Sequence, residues 1–341
     1  MMNLISFLLP AFWIVVDLGS LMVCIATLAG FLGRSSWFLD LFSHFRLQYL
    51  LLLSVATALF ILGERYPQAL VSGLFAGLNL FLIAPLFFKR GDGKPAHPAN
   101  PRGTYRVMLV NVLQVNDAFG TVRHQIRSAE PDFLVLIEVN RTWIDQLKPA
   151  LKDYPFKQMP LREDNYGIAL FSRFPMRSSE VRHFGSARVP SIVATLQLQG
   201  RPVTIIATHP PPPKTKRQSN LRNNQMEEVA EFVRSQAGEI LLVGDLNMTS
   251  WSPHFKNLIR LSGLRDSRQG FGLQKTWPTN RRLLMIPIDH ILVSGGVIVQ
   301  SRRTGQFNGS DHYPVIMDFT LSKSKGKPKV ARMNSTSEVG K

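Results

Sequence analysis

The heptapeptide GSDHYPV, residues 309–315, sets Asp311 beside His312 at the foot of an apolar run, PVIMDFT. Consecutive strand residues point to opposite faces, so these two side chains reach one site only from a bent strand start. Other apolar runs also end on, or begin with, residue types that bind metal or phosphate. Asn111 closes LVN, Glu138 follows LVLI, His209 follows IIAT, Asp245 and Asn247 follow LLVG, and Asp289 opens DHILV. Singly, each has a structural explanation: a turn for Asn111, a cap for Glu138, a loop start for Asp245, a satisfied hydrogen bond for His209, and turn chemistry for Gly-Ser-Asp. A carboxylate beside a β core without a partner is costly, however. Six such positions on six strands point to a shared site at one edge of a sheet stack, where ligands gather in open α/β folds.

The runs that must position these residues read as short strands bounded by turn residues: 105–113, 132–139, 166–172, 191–198, 202–208, 239–245, 288–294 and 314–320. Two helices interleave. Val122, Ile126 and Ala129 share a face near 121–129, and Met226, Val229, Ala230 and Val233 recur at helical spacing over 222–236. Near-continuous apolar strands imply sheets covered on both faces. An α/β layered domain over 105–321 follows, with no internal repeat.

The charge is unevenly distributed. Residues 1–88 hold three basic residues (Arg34, Arg46, Arg65) and three acidic ones (Asp17, Asp40, Glu64), whereas the remaining chain holds 37 and 20, so the whole +17 lies after position 88. Within 1–88, the runs 12–32, 47–63 and 69–88 approach the about 20 apolar residues a bilayer requires. An uncharged start followed by three runs excludes a cleaved signal peptide, and three transmembrane helices are expected. Asp17 has no basic partner within its span, so it is expected to be protonated or to face a bundle interface. The single Cys24 excludes a disulfide framework. Residues 89–104 read as a basic Pro/Gly linker, and 322–341 as a disordered basic tail. The placement is multi-pass in a plasma (inner) membrane, and the small excess of loop Arg and Lys favours a cytoplasmic catalytic domain.

The ordered set Asn111, Glu138, YGIALFSRFP at 166, TH at 208, GDLN at 244, IDHILVS at 288 and SDHYPV at 310 resembles the endonuclease/exonuclease/phosphatase superfamily, whose DNase I-like members cleave phosphoesters. The resemblance spans roughly 105–321. It implies a four-layer α/β sandwich and a divalent cation, usually Mg²⁺, with Mn²⁺ as a substitute. By the same resemblance Glu138, Asn111 and Asp311 hold the metal through hard oxygen ligands. Asp245 orients or deprotonates the attacking water, Asn247 donates to a phosphate oxygen, and His209 contacts the phosphate or assists the leaving group. Asp289 keeps His312 protonated to stabilise transition-state charge. Arg188, Lys214 and Arg222 are candidates for phosphate contacts, and the PPPPKTKRQSN stretch is a stiff basic loop at the rim.

Three spans ahead of this domain resemble the vancomycin/teicoplanin-resistance-type membrane proteins of the superfamily. That likeness implies a lipid-linked phosphate such as a prenyl pyrophosphate, with the domain outside the cell, in conflict with the loop charge. A membrane-tethered nuclease is the alternative, since +17 suits nucleic acid as well as anionic lipid. A non-catalytic scaffold is disfavoured because every expected catalytic position is occupied. Nothing in the sequence identifies a protein partner. If the spans only tether the domain, their deletion is expected to spare hydrolysis of a soluble ester.

Overall fold

The computed structural model describes residues 2–88 and 103–322, with the side chains of 2–7 excepted. Most of the expected linker and nearly all of the expected tail lie outside the described residues. The chain begins with α1 (Met2–Ala29), a short α2 (Trp37–Leu41), α3 (Arg46–Leu62) and α4 (Tyr66–Ile83). Three segments, Leu8–Leu32, Trp37–Leu62 and Tyr66–Leu86, are long and apolar enough to cross a membrane. Their outer faces carry exposed Val15, Met22, Val55, Leu74 and Phe81, a surface suited to lipid rather than water. Asp17 departs from expectation. It accepts an ion pair at 2.8 Å from Arg65, which the α3–α4 turn brings back over the Trp13 ring.

The remainder begins with β1 (Tyr105–Asn111), α5 (Phe119–Ala129), β2 (Phe133–Ile137), α6 (Arg141–Leu151), β3 (Phe156–Gln158) and β4 (Ile168–Ser172). The second half follows as β5 (Met176–Arg182), β6 (Ser191–Leu198), β7 (Arg201–Ala207), α7 (Lys216–Ser235), β8 (Glu239–Asp245) and α8 (Pro253–Ser262). It closes with β9 (Arg265–Asp266), β10 (Asp289–Val293), β11 (Val297–Thr304) and β12 (Val315–Leu321). Two six-stranded sheets result, ordered β11-β12-β1-β2-β4-β3 and β5-β6-β7-β8-β10-β9.

The strands are apolar on both faces because each sheet is sandwiched. Val107, Leu109, Val135 and Met317 of one sheet meet Ile205, Leu241, Val243 and Ile291 of the other in a central core. Met108, Val110, Leu134 and Leu136 turn outward onto Val122, Ile126 and Trp143 of α5 and α6. Ile206, Leu242 and Leu292 turn outward onto Met226, Val229 and Leu258 of α7 and α8. Helix, sheet, sheet and helix form the expected four layers.

Each sheet has one parallel pair, β1–β2 and β7–β8, joined through α5 and α7 respectively. The antiparallel partners β12 and β10 begin where β1 and β8 end: Val315 pairs with Leu109 and Asp289 with Asp245. Four strand exits and two strand entries thus meet at one end of the stack. Every strand-end residue singled out in the sequence lies there.

Candidate active site

Backbone geometry at these strand ends is unusual. Glu138 and Asn247, each just past a strand, adopt φ of +57° and +52°. Such left-handed backbone costs a non-glycine residue of order 1 kcal/mol and persists only when the surroundings enforce it. Gly244 has a different requirement: a Cβ there would lie 1.9 Å from the Thr208 carbonyl oxygen. Glycine lets β8 approach the segment that delivers His209, giving the glycine of GDLN a steric reason.

Asn111 Nδ2 donates to Glu138 Oε1 at 2.9 Å and to Asp245 Oδ2 at 3.3 Å, bridging the two sheets. Its Oδ1 accepts the Leu113 N–H at 3.0 Å. Asn111 thus ties Glu138 and Asp245 together across the two sheets, and its amide oxygen keeps a second lone pair beyond the one that accepts the Leu113 N–H. His209 donates from Nδ1 to the Asp245 carbonyl at 3.2 Å, and its Nε2 lies 3.8 Å from Glu138 Oε1. Asn247 donates its backbone N–H to Asp245 Oδ1 at 2.9 Å and its side-chain amide to the Pro210 carbonyl at 3.0 Å.

His312 donates from Nδ1 to Asp289 Oδ2 at 2.8 Å, with its Nε2 3.7 Å from Asp245 Oδ2 and 3.9 Å from Asp311 Oδ1. Asp311 and His312 converge because they precede β12, in a bend where Ser310 Oγ accepts the His312 N–H. Burial works against the imidazolium, but the charges of Asp289 and Asp245 outweigh it and push His312 up to about 10. Burial also raises Asp289, yet the charge and hydrogen bond of His312 prevail and hold it low. Asp245 is raised to about 6, first by burial and then by the nearby Asp289 charge. Two neighbouring carboxylates with opposite shifts are the signature of divided acid–base duties. His290, set aside in the sequence, points away from this group: it donates to the Met248 carbonyl at 2.8 Å, and burial drives it down to about 3.

Ligand atoms of Asp245, Asp289 and His312 lie within 4.8 Å of one another, a spacing that suits a metal. The Asp289–His312 hydrogen bond engages Nδ1 and leaves Nε2 facing Asp245 and Asp311. Asp311 offers a further oxygen to a cation. Asp311 Oδ2 accepts from Trp277 Nε1 at 2.9 Å, whereas Asp311 Oδ1 is buried without a hydrogen-bond partner. Asp289 Oδ1 is likewise buried without a partner, and such free carboxylate oxygens match the hard-oxygen preference of Mg²⁺.

The basic candidates fare differently. Arg188 and Lys214 are exposed, Arg188 just before β6 and Lys214 just before α7. Arg222 is not available to substrate. Its side chain is wholly buried and pairs with Asp40 at 2.8 Å, so the expected phosphate contact is corrected to an internal ion pair. Sequence reasoning missed Trp277, which fixes Asp311, and Tyr166, whose ring centroid is 5.8 Å from that of His209. A Trp in the polar stretch QKTWPTN was the available signal for the first.

Residues 108–312 match the Endonuclease/Exonuclease/phosphatase family. The chain belongs to this family. Members of the endonuclease/exonuclease/phosphatase family are metal-dependent hydrolases acting on phosphoester bonds. Among solved structures, D. rerio TDP2 in complex with a single-strand DNA product is similar at a TM-score of 0.55 and 17% identity, covering 64% of this chain and 99% of that one. The human Nocturnin catalytic domain with bound sulfate gives 0.54 at 20% identity, with coverages of 66% and 97%. An endonuclease/exonuclease/phosphatase from Beutenbergia cavernae gives 0.52 at 19% identity, covering 65% and 72%. These likenesses establish the fold. A UPF0294 protein of Vibrio campbellii is 29% identical over 103 residues, 29% of this chain, which spans only 34% of that relative's length.

Proposed function

We propose that the chain is a membrane-anchored, Mg²⁺-dependent phosphoesterase that hydrolyses a lipid-linked phosphate ester or pyrophosphate. It comprises a membrane unit at 1–88 and a catalytic unit at 105–321. The observation carrying this reading is the direct docking of the apolar helices onto loops that bear the site. Trp251 donates to the Leu82 carbonyl at 3.1 Å and packs on Ile83 and Leu86, and Gly270 and Gly272 both donate to the Leu86 carbonyl at 2.9 Å. Gln48, in the first turn of α3, donates to the Leu283 and Met285 carbonyls at 3.0 and 3.2 Å. That loop starts at Trp277, the partner of Asp311, and carries exposed Arg281, Arg282, Leu283 and Leu284. Leu283 is 87% exposed beside a helix that suits a bilayer, which supports contact between the site's own loop and lipid headgroups.

In this reading Glu138 and Asp311 hold the cation, which when bound neutralises charge on the phosphate oxygens. Asp245, steadied by Asn111 and by the Asn247 N–H, accepts the proton of the attacking water. Asn247 donates to a phosphate oxygen, and His209 contacts the phosphate. His312, kept protonated by Asp289, stabilises the negative charge that develops as the water attacks. The oxygen-rich donor set favours Mg²⁺ over softer metals.

A nuclease reading has two supports: the structurally similar TDP2 is described with a DNA product, and this chain's +17 suits a polyanion. The lipid reading is preferred because helices suited to a bilayer dock against loops of the site, which supports hydrolysis at a membrane surface. For the purified full-length protein, phosphate release from prenyl-pyrophosphate vesicles is expected to vanish in EDTA and return with Mg²⁺ or Mn²⁺. Undiminished release in EDTA contradicts the metal role of Glu138 and Asp311.

A further inference from the structure

We propose that Asp40, in α2 at the start of the second apolar segment, is a positioning residue for hydrolysis, acting through Arg222 on the backbone of Asn247. The inference rests on the reading of Asp245 and Asn247 as catalytic. Asp40 Oδ2 accepts from Arg222 Nη2 at 2.8 Å, and Asp40 Oδ1 accepts from Ser252 Oγ at 2.7 Å. Arg222 Nη1 continues to the Asn247 carbonyl at 2.9 Å. Neither Asp40 nor Arg222 is more than 1% exposed. The planar guanidinium makes a rigid relay, because its N–H vectors are fixed relative to one another. Asn223 Oδ1 holds the Nε and Nη2 edge at 3.0 and 2.9 Å.

A buried ion pair is a poor device for stability alone, since well-packed apolar residues serve as well or better. Its partners here indicate its use. Asn247 sits at φ +52°, a left-handed conformation that asparagine tolerates and that hydrogen bonds can fix. The Arg222 bond to its carbonyl, the Asp245 carboxylate on its N–H and the Pro210 carbonyl on its amide fix it together. Farther along the same loop, Thr249 contacts His44 Nδ1 through its hydroxyl at 3.0 Å and its N–H at 3.4 Å. Residues 40 and 44 therefore clamp the 247–252 loop at Asn247, Thr249 and Ser252. The catalytic loop takes its working shape only when the catalytic unit is seated on the membrane helices.

The test uses full-length protein in detergent or nanodiscs with a soluble phosphate ester. Asp40→Asn is expected to lower kcat at least about tenfold while leaving KM within about twofold, as a misplaced group rather than a lost binding contact would. Amide exchange over 246–252 should quicken by about tenfold while Phe133–Ile137 in β2 is unchanged, a readout that requires no turnover. Asp40→Glu should recover part of the kcat. Arg222→Lys keeps the charge but cannot span both partners, so it should keep the fold and lose kcat. The double substitution Asp40→Asn/Arg222→Met removes the unpaired charge; under a purely structural role it restores kcat, and under positioning it does not. Wild-type kcat and exchange in Asp40→Asn, or restored kcat in the double variant, overturns the proposal. If wild-type protein fails to hydrolyse esters at all, the functional reading falls, while the exchange result still decides the coupling.

Discussion

Asp245→Asn and His312→Gln should each lower kcat by at least about 10²-fold with the fold intact, the scale expected for positioned acid–base and electrostatic groups. The substitutions are chosen to retain hydrogen bonding. An Asn at 245 still offers an oxygen to the Asn247 N–H, which now donates to Asp245 Oδ1 at 2.9 Å. A Gln at 312 still offers an N–H toward Asp289, which otherwise would be left as a buried carboxylate without its partner. What each removes is charge: a proton acceptor in one case, an imidazolium held at about 10 in the other. Steady-state kinetics on a soluble ester, with melting temperatures to verify folding, provides the check. Wild-type turnover in either folded variant means that the chemistry lies elsewhere.

Removing residues 1–88 should also impair hydrolysis of a soluble ester by at least about tenfold. A tether read from sequence alone leads to the opposite expectation. The contacts of the helices reverse it. Truncation strips Asp40 from a buried guanidinium, and breaking such a pair costs about 3–5 kcal/mol if the remaining charge stays buried. Should water enter instead, the loop around Arg222 must open, and Asn247 loses the bond that shapes it. Trp251 and Leu273 also lose apolar cover from Ile83, Leu86 and Leu47. Against a typical total of about 5–15 kcal/mol, these losses make a poorly stable domain as well as a slow one. A truncated protein whose melting behaviour and kcat match those of the untruncated chain would show that residues 1–88 do not shape the site.

Much of the site was legible because its residues interrupt strong local signals. Glu138 and Asp245 each follow four or more apolar residues and His209 follows Ile205, Ile206 and Ala207 with one Thr between, and a polar group at such a position has few structural reasons to be there. The helices α6 and α8 escaped notice although their signals exist. Asn140 and Ser252 cap them, and Trp143, Ile144, Leu147 and Ala150 recur at helical spacing in α6. An internal Pro149 and the shortness of both helices masked the pattern. The edge strand β5, MRSSEVR, has almost no apolar face, because only one side of it meets the core. Arg222 and Asp40 illustrate a firmer limit. They lie 182 positions apart, and each alone looks like an ordinary surface or loop charge. Only the docking of α2 against α7, a tertiary event without a local signature, turns them into a buried pair.

The most direct test of the account is one side-by-side assay on one preparation. Full-length protein with Mg²⁺, at moderate salt to screen non-specific attraction of its +17, is given prenyl pyrophosphate in vesicles, phospholipid vesicles and plasmid DNA. The account predicts Mg²⁺-dependent phosphate release from the vesicle-borne lipid phosphate, with DNA left uncut at the same enzyme concentration. Strong Mg²⁺-dependent DNA cleavage without lipid-phosphate release contradicts it and makes the chain a membrane-tethered nuclease.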